Sequence, residues 1–207
     1  MKRGFTLIEL LIVIGILEIL ATVVVLVLNP AEILAQARDS QRISDLGSVK
    51  SAIALYLATA TATSTASSTN FGNPLGTNAR VNVTGAANPF VTSNVTTVTS
   101  TAVNGTGWVN VKLDDTTGGS PVSALPPDPS NNTIYYYGYA GNSNAQTFEL
   151  LGRLESTKYR PLMQNDGGNT NCPNSGTGDW NTTCYYEMGT QPNLNLKGSR
   201  KAKQKIF

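Results

Sequence analysis

Residues 4–20 read GFTLIELLIVIGILEIL. The stretch is apolar except for two carboxylates, Glu9 and Glu18, and it opens a run of 24 residues from Phe5 to Leu28. As a helix rising about 1.5 Å per residue, that run spans roughly 36 Å, enough to cross a hydrocarbon layer of about 30 Å. A secretory signal peptide needs an apolar region of only about 7–15 residues. The small-residue triplet Ala35-Gln36-Ala37 lies beyond Pro30, too far from the run to serve as its cleavage site. Lys2 and Arg3 precede the run and would hold its N-terminus in the cytoplasm. An ionised acid at the centre of a membrane helix costs roughly 2.5–3.5 kcal/mol, so Glu9 calls for a partner. The run supplies no basic residue. The partner must therefore come from another chain, from the lipid interface or from a new terminus; cleavage after Gly4 would create the last, an α-amino group on Phe5 that could meet Glu9 of a neighbouring chain inside an apolar assembly.

Lys2-Arg3-Gly4 followed by Phe5-Thr6-Leu7-Ile8-Glu9-Leu10-Leu11-Ile12-Val13-Ile14 resembles the N-terminus of type IV pilins and type II secretion pseudopilins, nearly without a break over Gly4–Ile14. The resemblance implies a leader, residues 1–4, removed between Gly4 and Phe5 by a prepilin peptidase, with methylation of the new N-terminal Phe5. It also implies that Glu9 pairs with the N-terminus of the adjacent subunit as a filament assembles. Glu18 departs from the pattern, since the family commonly has a small or apolar residue there. Nine residues at 100° each place it on the face opposite Glu9, about 13.5 Å along the axis. It reads either as a second polar contact between subunits or as a protonated acid bonded locally.

Outward from this run, Asn29-Pro30 interrupts the helix, because proline lacks a backbone donor and disfavours helix at the residue before it. Apolar residues then recur at Ile33, Leu34, Ala37, Ile43, Leu46, Val49, Ile53 and Leu57, while Arg38, Asp39, Gln41, Arg42, Asp45 and Lys50 fill much of the rest. Spacings of three and four predict an amphipathic helix with one face on a head and the charged face in water. Ala58–Thr69, ATATATSTASST, marks the exit into a loop. Beyond it, strands are expected at Val81–Thr84, Val91–Thr99, Trp108–Leu113, Ile134–Tyr139 and Gln146–Leu154, the last two joined by a turn at Gly141–Asn144. Leu125-Pro126-Pro127-Asp128-Pro129 is a rigid connector. The segment from it into the tyrosine-rich strand is similar, more loosely, to pseudopilin heads. The expected class is α+β and pilin-like. A long N-terminal helix (5–58, with 5–28 as the membrane-spanning and assembly segment) packs on a small antiparallel sheet in a β-rich head (59–196), followed by a basic tail (197–207).

Cys172 and Cys184 lie outside the cytoplasm in this orientation, where disulfides persist, and resemble the bridged C-terminal loop of many type IV pilins. Asp166 and Asp179 sit in Gly/Asn-rich loops. Such loops hold calcium in major pseudopilins, but the spacing here is altered by insertion, and two solvated acids are the other reading. Sequons include those that begin at Asn94, Asn104, Asn131 and Asn181, as chance allows in a chain rich in Asn and Thr. The tail, NLKGSRKAKQKIF, reads as a disordered end or as an electrostatic contact for phosphate on DNA or lipid head groups. Residues 4–196 carry eight basic and thirteen acidic residues, a balance of −5, which leaves no basic groove for nucleic acid in the body. The chain has no histidine, the commonest general base and metal ligand, and no nucleophile motif, which lowers the standing of a surface enzyme.

The functional expectation is a non-enzymatic filament subunit of a pilus or pseudopilus. Its partners would be further copies of itself in a helical homo-polymer, the prepilin peptidase, an inner-membrane assembly platform, and membrane lipid before assembly. The rival is a single-pass anchored adhesin or binding module that never polymerises.

Overall fold

The computed structural model describes residues 4–59, 79–90, 95–142, 146–168 and 184–190. The apolar run forms helix α1, Leu7–Leu28, and the amphipathic segment forms α2, Pro30–Thr59. Between them Asn29 adopts the left-handed conformation (φ 40°) and serves both helices. It ends α1, and its carbonyl and side chain accept the backbone N–H of Glu32 at 3.0 and 3.4 Å at the start of α2. Pro30 takes the first helical position, where its missing N–H costs nothing. The break expected at Asn29-Pro30 is thus a complete stop and restart.

The head is built on a five-stranded sheet of order β2-β1-β3-β4-β5. The strands are β1 (Ala79–Val81), β2 (Val95–Thr97), β3 (Gly138–Asn142), β4 (Thr147–Gly152) and β5 (Tyr186–Gly189). The β3–β4 hairpin pairs as expected, from Gly138↔Leu151 to Asn142↔Thr147, but β3 starts four residues later than Ile134 and takes in Gly141 and Asn142 of the expected turn. The sheet is not purely antiparallel, however. β2 runs parallel to β1, with Ala79 opposite Val95. Parallel neighbours need a crossover of a dozen or so residues, and segment 82–94 is that long. Part of the crossover, including Phe90, Val83 and Ala86, covers the sheet face away from α2. Strand β5 was not foreseen. Its sequence, Tyr-Glu-Met-Gly, is too short and mixed to carry a periodic signal.

Alternation along β3 and β4 sorts side chains between two apolar clusters. Tyr137, Tyr139, Phe148 and Leu150 face α2 and pack with Leu46, Val49, Ala52, Ile53 and Tyr56. Tyr136, Ala140 and Leu151 face the opposite side with Ala79, Val81, Phe90 and Tyr185. Close approach of α2 to β4 depends on Gly152, where a Cβ would stand 3.2 Å from Leu46 Cδ1 and 3.3 Å from Tyr137 Cδ1.

Trp108–Leu113 is not a strand. Its backbone bonds to loop carbonyls, Trp108 N–H to Ser100 and Leu113 N–H to Val103, with one isolated bridge between Asn104 and Lys112. Trp108, Val109, Val111 and Leu113 all enter the α2-side cluster as a plug that closes its edge. A segment that buries adjacent side chains into one cluster cannot keep a strand's two-faced geometry.

Candidate functional site

Two regions carry the chemistry that the sequence singled out: the start of α1 and the charged foot of α2. Gly4, Phe5 and Thr6 precede α1 in non-helical conformation, and Phe5 is 82% exposed. Thr6 caps the helix. Its hydroxyl accepts Glu9 N–H at 3.3 Å, while Glu9 Oε2 accepts the Thr6 backbone N–H at 2.9 Å and the Thr6 hydroxyl at 2.8 Å. This reciprocal box satisfies two end-of-helix donors at once. It also corrects the premise that Glu9 finds a partner only outside its own segment, because Thr6 supplies one three residues away. The interactions that could have been read from the sequence are those of the motif Thr-x-x-Glu before an apolar run.

Beyond the cap, α1 is uncovered. Its apolar window Leu7–Val25, of mean hydropathy 2.7, has no buried share, and the helix is long and apolar enough to cross a membrane. Glu18 lies exposed within it. The Thr22 hydroxyl donates to the Glu18 backbone carbonyl at 2.9 Å, and among the described residues no hydrogen bond or ion pair engages the Glu18 carboxylate. Glu9 and Glu18 are not brought together by the fold.

At the foot of α2 the structure reverses the expected partition of charge. Asp39 and Arg42, assigned to the wet face, are fully buried, whereas Ile33 and Leu34 are 50% and 59% exposed. The buried positions 39, 42, 46, 49, 53 and 56 form one seam of alternating three- and four-residue steps. The seam was legible by its spacing but not by its chemistry, since its lower two members are charged.

Arg42 sits at the centre of this network. Its Nε and Nη2 donate to the two oxygens of Asp128 at 2.8 and 3.1 Å, and its Nη1 donates to Asp39 at 2.8 Å and Glu155 at 2.6 Å. Nη2 also donates to the Ser130 hydroxyl, and Tyr135 presents its ring 4.8 Å from the guanidinium. Asp39 in turn accepts the backbone N–H groups of Glu155 and Ser156 and the Ser156 hydroxyl, the last at 2.6 Å. Asp128 is delivered by the proline connector and braced by the N–H groups of Ser130 and Asn131. Buried charges persist only with such saturation by partners. Burial works against the Arg42 charge, but Asp128, Glu155 and Asp39 more than offset it and push its pKa up.

Burial likewise raises the Glu155 carboxyl, yet the donors from Arg38 and Arg42 outweigh it and leave the pKa below the usual value. A depressed acid contributes stability that is complete above its unfolded-state value, about 4.3. That contribution is lost as pH falls through the lower folded-state value. Thermal melts of the full chain in detergent are therefore expected to weaken as pH drops below about 4.3, and Glu155→Gln should flatten this part of the profile. An unchanged profile in the variant would remove Glu155 from the account.

The remaining site residues divide around the boundary of the described residues. Cys184 is fully buried beside Leu154 and Met163, while Cys172 lies outside the described residues. Asp179 also lies outside them. Asp166 is half-buried at the edge of its loop. It accepts the N–H of Gly168 at 2.9 Å and of Glu187 at 2.8 Å, tying the loop to β5, and burial raises its pKa. It borders an open cleft of about 240 Å³ shared with Lys50, Tyr186 and Glu187. Among the described residues no group of three potential ligands gathers for a metal. Of the sequons, those at Asn94 and Asn181 are outside the described residues, as is the basic tail.

The fold and these sites define an α+β protein with an uncovered N-terminal apolar helix and a head carrying a small mixed sheet. No protein-family model, curated protein or solved structure matches the chain.

Proposed function

We propose that this chain is a structural subunit of a type IV pilus-like or pseudopilus filament, processed between Gly4 and Phe5 and assembled through α1. The observation that carries the proposal is the pairing of an accessible Gly4–Phe5 junction with a capped apolar helix whose window buries nothing within its own chain. Such a surface is unstable in water and needs lipid or other helices around it. In this reading the precursor rests in the cytoplasmic membrane with its N-terminus inside. The mature chain then leaves lipid for a bundle of like helices in a surface or periplasmic filament. The α-amino group of Phe5 in one copy meets Glu9 of the next. Thr6 occupies only Oε2, which leaves Oε1 for that amine. Glu18 is a second polar contact between copies in the same bundle.

Intact mass of the membrane- or filament-associated protein is expected to show loss of Met1–Gly4, with one methyl added to Phe5. A mature form that starts at Met1, or at Arg38, would sink the processing step.

One observation favours the rival, a single-pass anchored adhesin or binding module. The Thr6–Glu9 box gives Glu9 a role within its own helix that requires no neighbour. Detergent removal separates the two readings: a subunit forms fibres or crosslinks through its N-terminal helices, and an anchor stays dispersed or aggregates without order.

Cys172 and Cys184 are proposed to form one disulfide that closes the C-terminal loop. A loop of this length stabilises by about 3 kcal/mol in the chain-entropy model. Peptide mapping without reductant is expected to find that single crosslink, and quantitative alkylation of both thiols without reductant would contradict it.

A further inference from the structure

We propose that the foot of α2, residues 30–42, is a strap that leaves the head while the rest of α2 stays docked. The foot reaches the head almost wholly through polar groups. Thr157 donates to Glu32 at 2.7 Å, Arg38 grips both oxygens of Glu155 at 2.6 and 2.9 Å, and Asp39 and Arg42 hold the network around Ser156, Asp128 and Ser130. Ala35 is the one buried apolar residue of the foot. From Leu46 upward the attachment changes character, and Leu46, Val49, Ala52, Ile53 and Tyr56 enter the main apolar cluster.

These two halves respond differently to opening. Detaching the foot returns its carboxylates and guanidinium groups to water, and their hydration offsets most of the lost attraction. Detaching the upper half exposes apolar surface with nothing to offset it. The foot also has a free lower end, because the helix stops at Asn29 before restarting. It is therefore the low-stability end of one continuous helix. Opening it lets α1 re-aim relative to the head without unpacking the core. The strap rests on contacts within the head and holds whether or not the chain polymerises.

Native-state hydrogen exchange of the full chain in detergent micelles, over a range of low urea concentrations, tests this. The foot leaves by unwinding from its free lower end, which breaks the helical bonds of its amides, so residues 34–42 are expected to exchange through an opening nearly insensitive to urea, as little surface is exposed. Amides of residues 46–57 and of β4 should exchange with a steep urea dependence. Arg38→Gln and Glu155→Gln should each speed exchange of the foot about tenfold, the effect of losing a charge-assisted hydrogen bond, and speed residues 46–57 by no more than that factor, since the larger opening also breaks the foot. Ile53→Ala should speed exchange of residues 46–57 and leave the foot unchanged, since the core stays docked in both the closed and the foot-open state. One common urea slope across residues 34–57 in the unaltered protein would overturn the strap. So would equal acceleration of the foot and of residues 46–57 by Ile53→Ala.

Discussion

Glu9→Gln is expected to abolish filament assembly while leaving the membrane pool and the head intact. Glutamine serves in a capping box as well as glutamate does, so this variant keeps the reciprocal bonds with Thr6 and removes only the charge. If Glu9 neutralises the Phe5 amine of a neighbour, the variant leaves that amine buried and unpaired, a loss of roughly 3–5 kcal/mol at each interface. Repeated along a filament, that loss prevents assembly. Glu9→Ala should fail equally. It adds the loss of the cap, about 0.5–2 kcal/mol, but eases membrane insertion by roughly 2.5–3.5 kcal/mol. Glu18→Ala should leave filaments reduced or normal. The measurement is filament yield against membrane-pool level for the three variants in the native host. Filaments from Glu9→Gln but not from Glu9→Ala would mean that Glu9 matters as a cap alone. Normal filaments from both would remove the assembly role of Glu9 altogether.

Trp108→Ala is expected to cost about 3–5 kcal/mol of stability. That is a large share of the 5–15 kcal/mol that typically separates a folded domain from its unfolded chain. Trp108 is 1% exposed and lies in the plug that closes the α2-side cluster, with its ring centroid 5.7 Å from that of Tyr137. Its indole Nε1 donates to the Pro126 carbonyl at 3.2 Å, which joins the plug to the proline connector that presents Asp128. Truncation therefore opens a cavity and orphans a carbonyl in the same place. Trp108→Phe fills most of the volume and gives up mainly the hydrogen bond, so a loss near 1 kcal/mol is expected. Chemical denaturation of the full chain in detergent, followed by far-UV circular dichroism, measures both. A Trp108→Ala protein within 1 kcal/mol of the parent would show that the plug merely rests on the core.

Elements whose signal is local were legible along the chain. The apolar length of Phe5–Leu28, the stop at Asn29-Pro30 and the three-four spacing up to Leu57 required no knowledge of neighbours, and α1 and α2 fall where these features put them. The pairing of β3 with β4 was legible too, but not the bounds of β3, which runs on through Gly141 and Asn142 where a turn was expected. The Thr6–Glu9 box was written in the chain as Thr-x-x-Glu, a partner for Glu9 that carries no charge.

Tertiary structure alone decided the features that depend on partners far along the chain. The parallel placement of β2 follows from where a long crossover can lie, not from any property of Val95–Thr97. Trp108–Leu113 alternates like a strand, but no strand offered it a ladder, and the open edge of the core took its side chains instead. Most of all, the burial of Asp39 and Arg42 depends on Asp128, Glu155 and Ser156, which stand 86 to 117 residues away. A charge reads as exposed when its neighbours in sequence are all that is known. It can be buried only where distant groups neutralise it and satisfy its hydrogen bonds, and those groups converge only once the chain has folded.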